Sequence, residues 1–501
     1  MSKHEPERRT ITLGDVARAT GGELAGDESA IVKDVTHDSR QAGEATLFVA
    51  VRGATADANI YAAQAIRQGA VGVISENGQP ENLDAAWLRV SDARRAMAFA
   101  AAEVHGSPSR ELRLVGVTGT NGKTTFAYLM AGLMKAAGEK MAMTGTVEYL
   151  IGDERRKAER TTPEATDMQR FLRKAVNAGC RTAVMECSSH AIDLHRCDAL
   201  QFNVAAFTNL TRDHLDYHIT MENYFAAKRR LFDGSLGERP RVSVINVDDS
   251  YGQKLASDLA GDGAHVVRYA LENEAEVTAR DVKLSLEGTS FRLQTLAGEC
   301  EISSPLVGRP HVYNILAAVG SGLALGYNLD LITRALETCV GAPGRFERVA
   351  HDGDFTVVVD YAHTDDALLN VLRTAQSVAP QGRVITVFGC GGDRDRSKRA
   401  PMGEAAASLS DVVILTSDNP RTEDPERILD DVEEGLRAAG KPYRKIADRR
   451  RAILQAIAEA RAKDLVLIAG KGHEDYQLIG REVLHFDDRE VAREALAQRA
   501  K

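Results

Sequence analysis

The 501-residue sequence predicts an α/β protein built from three domains. Its length exceeds what one hydrophobic core usually supports, and three domains of ordinary size account for it. Short apolar runs bounded by turn residues alternate with helical patterns from end to end. Several of these runs end in polar, glycine-rich residues, which is typical of open parallel sheets that bind ligands beyond the carboxyl ends of their strands.

The composition narrows the class of function. Hydrophobic residues make up 44% and charged residues 27% of the chain, as in ordinary globular proteins, and no apolar stretch is long enough to cross a bilayer. No apolar segment follows the charged start MSKHEPERRT, so we expect a cytoplasmic protein with no membrane partner. The formal charge of −9 disfavours a nucleic acid partner, because such binding neutralises phosphates with basic residues. The six cysteines form no C-x-x-C pair, which argues against a zinc site.

The first predicted domain covers residues 1–109. It contains candidate strands at 45–53, 70–76 and 86–92. Its end coincides with HGSPSR, residues 105–110, whose glycine, serine and proline content is typical of a linker.

The second predicted domain covers residues 110–343 and the third covers residues 344–501. The second opens with the strand ELRLVGV and continues through RTAVMEC, NVAAFTN and RVSVINV, and the GAPGR cluster at 341–345 marks its end. In the third, four apolar runs end in polar residues: FTVVVDYAH, RVITVFGCGGDRD, DVVILTSDNPR and DLVLIAGKGHE. We expect these four endings to lie at one edge of a parallel sheet.

The segment GVTGTNGKTT, residues 116–125, predicts a phosphate-binding loop. Gly119, Asn121 and Gly122 allow backbone amides to turn inward between a strand and a helix. The strict form of this motif has a glycine where this chain has Val117. A chance glycine-rich turn is the alternative, and the clean strand and helix on either side disfavour it.

The residues after the loop predict how a nucleotide and a metal would be held. Lys123 would reach the terminal phosphates, and the Thr124 hydroxyl would reach a Mg²⁺ ion that the phosphates already bind. The helix predicted over Thr124 to Ala137 adds the positive end of its dipole.

Two further strands end in residues that can bind a metal, Glu186 in MECSSH and His214 in TNLTRDHLDYH. Carboxylate oxygens suit Mg²⁺ better than imidazole does. A structural or solvated histidine is therefore as good an interpretation of His214 as a ligand.

The predicted helix Glu222 to Phe232, ENYFAAKRRLF, places Lys228 on its apolar stripe, four residues after Tyr224. Lys228 either extends its amine to solvent, which is the commoner outcome, or has a depressed pKa. A neutral amine can react with carbon dioxide to form a carbamate, which is an anionic metal ligand. The helix pattern leaves both possibilities open.

In this order, the motifs G-T-N-G-K-T-T, E-C-S-S-H, T-N-L-T-R-D-H-L-D-Y-H, Y-F-A-A-K and D-N-P-R resemble those of the Mur ligases of peptidoglycan synthesis. The resemblance covers the whole chain. It implies a smaller N-terminal α/β domain for a UDP substrate, a central P-loop ATPase-type domain with a parallel sheet, and a Rossmann-like C-terminal domain for an amino acid. The absence of a glycine at Val117 is then a trait of the family's loop.

The resemblance implies an ATP-dependent amide ligase with two Mg²⁺ ions and a carbon dioxide-derived carbamate on Lys228. The implied catalytic residues are Lys123, Glu186, His214 and Lys228, and the implied metal ligands are Thr124, Glu186, His214 and the Lys228 carbamate. The implied ATP-binding residues are Gly119, Thr120, Asn121, Gly122, Lys123, Thr124, Thr125, Asn314, Arg345, Asp360 and His363.

The resemblance also implies the other two substrates, UDP-MurNAc-L-Ala-D-Glu and meso-2,6-diaminopimelate, and we expect a monomer. The residues implied for the UDP substrate are Ser39, Ala54, Thr55, Ala56, Thr161, Thr162, Ser188 and Arg196. Those implied for diaminopimelate are Arg394, Asp418, Asn419, Pro420, Arg421, Gly470 and Glu474.

The D-N-P-R motif separates diaminopimelate from L-lysine. The guanidinium of Arg421 matches a carboxylate in two hydrogen bonds, and diaminopimelate carries a carboxylate at its far end, whereas lysine does not. A buried Arg421 facing lysine would have no partner, which is costly. A lysine-adding ligase is the nearest alternative, followed by a folate polyglutamate ligase and by a nucleotide-driven switch that makes no product. Taken alone, D-N-P-R favours a plain turn, because Asn-Pro is typical of one.

Overall fold

A computed structural model describes residues 9–53 and 57–499 of the chain. Three sheets of mainly parallel strands follow one another along the sequence, each covered by helices. The predicted three-domain α/β class is confirmed, while the boundaries at residues 109 and 343 stay predictions. No helix within the described part of the chain combines the length and apolar character that a membrane span requires.

The N-terminal sheet has five strands in the order β1-β5-β4-β3-β2, with β1 antiparallel to β5 and the other pairs parallel. Strands β1 to β5 are Glu23–Ala25, Asp34–Thr36, Thr46–Val49, Gly72–Ser75 and Ala86–Arg89. Helices α1 to α3 are Leu13–Thr20, Ala62–Arg67 and Ala93–Val104, with 3₁₀ turns at Ser39–Gln41, Ala58–Tyr61 and Pro108–Arg110. Reciprocal hydrogen bonds of Thr12 and Asp15 cap the start of α1.

The central sheet has eleven strands in the order β16-β15-β14-β13-β12-β11-β6-β10-β7-β8-β9. Strands β6 to β16 are Arg113–Thr118, Met141–Thr144, Glu148–Ile151, Glu154–Lys157, Thr182–Glu186, Val204–Phe207, Val242–Asn246, Val266–Ala270, Val277–Ser285, Gly288–Thr295 and Gly298–Ser304. Helices α4 to α11 are Lys123–Ala136, Ala165–Asn177, Ser189–Asp193, Leu215–His218, Met221–Arg229, Ser250–Gly261, Arg309–Ala324 and Leu329–Thr338. The strands from β14 to β7 in this order are parallel, and antiparallel hairpins flank them.

The helix predicted to continue to Phe232 ends at Arg229, which corrects the prediction. The amides of Leu231 and Phe232 donate to carbonyls three residues earlier, at 3.1 and 2.8 Å, so the chain tightens into a turn. Both side chains are still buried, so the apolar pattern that suggested a longer helix reflects packing rather than helical continuation.

The C-terminal sheet has six strands in the order β17-β18-β22-β19-β20-β21, and a separate hairpin pairs β23 with β24. Strands β17 to β24 are Glu347–Arg348, Thr356–Asp360, Val384–Phe388, Val412–Leu415, Tyr443–Lys445, Leu465–Ala469, Tyr476–Ile479 and Glu482–His485. Helices α12 to α16 are Asp365–Val378, Arg399–Leu409, Pro425–Ala438, Arg449–Glu459 and Asp488–Arg499, with a 3₁₀ turn at Arg396–Lys398. The four predicted strands, β18, β22, β19 and β20, are neighbours and parallel, so their polar endings share one edge.

Candidate active site

The phosphate loop lies at the centre of the site because its strand does. Strand β6 lies between β11 and β10, so the loop is flanked by Thr208 on one side and by Glu186 on the other. Gly119 and Gly122 have φ of 152° and 91°. A Cβ atom would lie 1.8 Å from Thr208 Oγ1 at Gly119 and 2.3 Å from Asn314 Oδ1 at Gly122. Both positions therefore require glycine, as a backbone that closely approaches a ligand does.

Lys123 begins helix α4, and its side chain folds back over the loop. Its Nζ donates hydrogen bonds of 2.9 Å to the carbonyl oxygens of both Gly119 and Thr120. Burial lowers the pKa of Lys123, and the negative charges of Glu186 and Asp213 oppose that shift.

The loop, helix α10 and the start of the C-terminal segment enclose a first cavity of about 700 Å³. Of the residues predicted to bind ATP, its wall includes Asn121, Gly122, Thr124, Thr125, Asn314, Arg345 and Asp360. His363, predicted with them, lines a second cavity instead.

His311 is a residue of this first cavity that the sequence did not single out as a site residue. Its side chain is buried, and within the described part of the chain its Nδ1 has no hydrogen-bond partner. Burial lowers the pKa of His311 to about 4, so the ring is neutral at neutral pH.

Glu186 is a buried carboxylate that connects several oxygen atoms. It is 1% exposed and accepts hydrogen bonds from Thr124 Oγ1 at 3.0 Å and from the amide and hydroxyl of Thr146 at 2.8 and 3.0 Å. Sequence reasoning missed Thr146, whose position two residues after β7 is the available signal. The Glu186 carboxylate and the Thr124 hydroxyl are hard oxygen donors, which fits Mg²⁺.

Lys228 is buried, so of the two possibilities raised by the sequence the desolvated amine is the one observed. Its side chain is 1% exposed, and Nζ donates a 2.8 Å hydrogen bond to the carbonyl oxygen of Gly119. The amine also lies 4.5 Å from the ring centroid of Tyr224. Burial, followed by the charge of Lys123, lowers the pKa of Lys228 well below that of a free lysine.

His214 lies near this amine on the same side of the loop. Its ring centroid is 4.7 Å from that of His190 and 6.1 Å from that of Tyr224, and its Nε2 is 3.3 Å from Asp213 Oδ2. Partial burial lowers the pKa of His214, so the imidazole is neutral at neutral pH and has a lone pair for a metal. Within residues 9–53 and 57–499, no three His, Cys, Asp or Glu side chains group as a metal site.

The second cavity, of about 480 Å³, opens at the polar strand endings of the C-terminal sheet. Of the residues predicted to bind diaminopimelate, it is lined by Arg394, Asp418, Asn419, Arg421, Gly470 and Glu474. Pro420 is buried and does not line this cavity. Thr161 and His214 of the central segment also line it, so the cavity extends to the metal-ligand candidates.

Charged side chains of both signs line the second cavity. Arg421 Nη1 donates a 2.8 Å hydrogen bond to the carbonyl of Gly392, which fixes the guanidinium in position. Asn419 Nδ2 donates to Glu474 Oε2 at 2.9 Å. Burial and the neighbouring Asp418 raise the pKa of Glu474. Such an arrangement can hold a group that carries both an ammonium and a carboxylate.

Residues predicted to contact the UDP substrate form one group beside Glu186. Thr162 Oγ1 donates to the Glu186 carbonyl at 2.7 Å, and the Ser188 amide donates to Thr162 Oγ1 at 3.2 Å. Arg196 pairs with Glu164 at 2.7 Å and its Nη1 lies 3.4 Å from the carbonyl of Thr162.

The remaining members of that set lie elsewhere. Thr161 Oγ1 is 3.1 Å from Thr146 Oγ1, which joins it to the surroundings of Glu186. Ser39 is buried in the 3₁₀ turn after β2, in the N-terminal sheet. The predicted residues Ala54, Thr55 and Ala56 lie outside the described residues.

Two family patterns match the chain, the Mur ligase middle domain over residues 117–322 and the glutamate ligase domain of Mur ligases over residues 344–472. Two similar curated relatives are UDP-N-acetylmuramoyl-L-alanyl-D-glutamate–2,6-diaminopimelate ligases. The protein from Solibacter usitatus is 47% identical over 96% of this chain and 96% of its own. The protein from Geobacter metallireducens is 47% identical over 96% of this chain and 97% of its own.

A solved structure of a protein with the same name has the same fold. It superposes with a TM-score of 0.72 at 34% identity, covering 98% of this chain and 100% of that chain.

Proposed function

The chain belongs to the Mur ligase family, and we propose that it uses ATP to join meso-2,6-diaminopimelate to UDP-MurNAc-L-Ala-D-Glu. The bond formed is an amide between an amino group of diaminopimelate and the γ-carboxylate of the D-glutamyl residue. The observation that carries the proposal is the charge pattern of the second cavity, where Arg421 complements a carboxylate and Asp418 and Glu474 complement an ammonium.

ATP is the substrate of the first cavity. The glycine loop presents its amides to the phosphates, and the Lys123 amine and the Arg345 guanidinium counter the charge that spreads over the transferring oxygens. Arg345 Nη2 lies 3.3 Å from Thr124 Oγ1, so a cation from the C-terminal segment reaches the phosphate loop. Asp360 accepts the Phe346 amide at 2.7 Å, which fixes the turn that carries Arg345.

Glu186 and Thr124 would hold one Mg²⁺ ion, and His214 and Lys228 would hold a second. The burial and the lowered pKa of Lys228 favour the neutral amine that carbamate formation requires, in which its nitrogen attacks carbon dioxide and loses a proton. The carbamate would supply the anionic oxygen that the described His, Cys, Asp and Glu side chains do not group to provide. When bound, the two ions would neutralise phosphate charge.

The reaction proceeds in two steps on the substrates. The γ-carboxylate attacks the terminal phosphorus of ATP, giving an acyl phosphate and ADP. The uncharged amine then attacks the acyl carbon, and the tetrahedral intermediate expels inorganic phosphate. Thr161, Thr162, Ser188 and Arg196 surround Glu186 and would place the UDP substrate there, with Ser39 and residues 54–56 binding its distal part.

Diaminopimelate is preferred over L-lysine because of the distal carboxylate. Arg421 would bind that carboxylate in two hydrogen bonds, assisted by the exposed Arg394, while Asp418 and Glu474 would bind the distal ammonium. With lysine, the guanidinium of Arg421 would keep its charge without a partner. A monomeric enzyme stays our expectation.

The deciding measurement is ADP release with ATP, Mg²⁺ and UDP-MurNAc-L-Ala-D-Glu, in the presence of meso-diaminopimelate, L-lysine or neither. We expect release to require diaminopimelate and the tripeptide product to accumulate in equal amount. Faster turnover with lysine would favour the lysine-adding alternative. Release that needs no amino acid would refute a ligase and favour a nucleotide-driven switch.

A further inference from the structure

Lys471 places a buried positive charge on the acidic side of the second cavity. The residue follows β22, and its side chain is fully buried. Its Nζ donates to Asn419 Oδ1 at 3.1 Å and lies 3.5 Å from Asp418 Oδ1 and 3.4 Å from Glu474 Oε2. The amine thus contacts both carboxylates that the proposed function assigns to the distal ammonium of the substrate.

The backbone around Lys471 is held rigidly. Gly470 and Gly472 on either side have φ of 121° and 52°. A Cβ atom at Gly472 would lie 2.6 Å from Tyr361 Cβ and 2.8 Å from the Gly344 carbonyl oxygen, so neighbouring segments pack directly against the chain here. The tight packing of the backbone beside Lys471 fixes the position from which its side chain extends.

Asp418 is buried and Glu474 is half-buried, and the Lys471 amine lies within 3.5 Å of both carboxylates. Burial and Asp418 raise the pKa of Glu474, whereas Lys471 and the Asn419 amide lower it. The other titratable groups that face Glu474 are Tyr361, Tyr476 and Arg449.

None of these three residues places a positive charge as close to Asp418 and Glu474 as Lys471 does. The tyrosines are neutral at neutral pH, because burial raises their pKa values. Arg449 is committed to Asp488, to which its Nη2 donates at 2.6 Å. Among the described residues, Lys471 is the cation that an ion pair joins to both Asp418 and Glu474.

We propose that Lys471 is a positioning residue whose buried amine holds Asp418 and Glu474 in place and keeps Glu474 ionised, so that both side chains are ready to bind the distal ammonium of diaminopimelate. This inference rests on the proposed function. Without Lys471, the pKa of Glu474, which burial and Asp418 already raise, would rise further, so that Glu474 would take up a proton more readily. Binding of the amino acid would then require release of that proton and would become pH-dependent.

The test is the KM for diaminopimelate between pH 6.5 and 8.5 in the wild type and in Lys471→Met. We expect a wild-type KM that changes less than about twofold, and a variant KM that is raised at pH 6.5 and falls by up to about tenfold per pH unit, as release of one proton demands. Lys471→Arg, which keeps the charge, should retain a nearly flat profile. Lys463→Met is the matched control, since Lys463 is an exposed lysine just before β22.

The outcomes separate the inference from the function beneath it. A Lys471→Met KM that is unchanged, or raised by one factor at every pH, would overturn the role of Lys471. If that variant does not fold, the double variant K471M/E474Q removes the repulsion between the carboxylates of Asp418 and Glu474. A KM for diaminopimelate that does not change with pH in the double variant would support the inference, and one that does change would overturn it. A wild-type enzyme that turns over without diaminopimelate would instead refute the proposed function.

Discussion

Replacing Arg421 by alanine tests the amino-acid pocket directly. The guanidinium lines the second cavity and is oriented by its 2.8 Å hydrogen bond to the Gly392 carbonyl. Arg421 has φ of 52°, and alanine is no more strained there than arginine, so the substitution removes the side chain without a new backbone cost. The change therefore reports on recognition of the distal carboxylate.

The size of the effect follows from the loss of the charge pair that the half-buried Arg421 would form with the distal carboxylate of bound diaminopimelate. Removing it costs about 2 to 5 kcal/mol. Since about 1.4 kcal/mol corresponds to a factor of ten, the KM for diaminopimelate should rise by roughly 30-fold to several thousandfold. The KM for ATP should change by less than about twofold, because Arg421 is not part of the first cavity.

The assay measures ADP release at saturating ATP and UDP substrate while diaminopimelate or L-lysine is varied. The preference for diaminopimelate over lysine should fall by at least the factor by which the KM for diaminopimelate rises, since lysine has no distal carboxylate to lose. Arg450→Ala, which removes an exposed arginine of α15, is the matched control. Equal increases in the KM values for diaminopimelate and ATP, or an unchanged preference, would refute the role of Arg421.

Three further predictions concern the loop, the buried lysine and the C-terminal fold. Lys228→Ala should abolish ligation, and formate or acetate should restore part of the rate of ADP release by replacing the carbamate oxygens; normal turnover of the variant would rule the carbamate out. Gly119→Ala should raise the KM for ATP by more than about tenfold because the new Cβ would lie 1.8 Å from Thr208 Oγ1, and an unchanged KM in a folded variant would contradict the tight loop. Arg449→Met leaves the buried Asp488 without its ion-pair partner, so the free energy of unfolding measured by urea denaturation should fall by about 3 to 5 kcal/mol. A variant as stable as the wild type would contradict this prediction.

Local patterns were sufficient to predict where the strands end, and those ends define most of the site. The strands before Gly119, Glu186 and Asp418 were identified from apolar runs bounded by glycine and polar residues, and each lies within about two residues of its predicted place. Parallel strands then bring their endings to one edge whatever their separation along the chain. The assignment of individual residues to each substrate came instead from the resemblance to Mur ligases, and it stays a prediction.

Tertiary burial was not predictable in the same way. The position of Lys228 on an apolar helical stripe left both a solvated and a desolvated amine open, and the approach of the Gly119 carbonyl, 109 residues earlier, could not be seen from the helix pattern. Thr146 and Lys471 have no distinctive local pattern, because their roles depend on the carboxylates of Glu186 and Glu474 that they contact.

The two cavities can serve one reaction only if the C-terminal segment lies against the phosphate loop, and polar contacts hold it there in this conformation. Asp366, at the start of α12, accepts hydrogen bonds of 3.0 Å from both Asn121 and Thr211, and Arg212 pairs with Asp365 at 3.0 Å. Apolar side chains also cross this boundary, since Val307, Leu284 and Leu286 pack against the core of the C-terminal segment. Because Asn121 belongs to the phosphate loop itself, we expect binding of ATP to that loop to be coupled to the position of the amino-acid pocket.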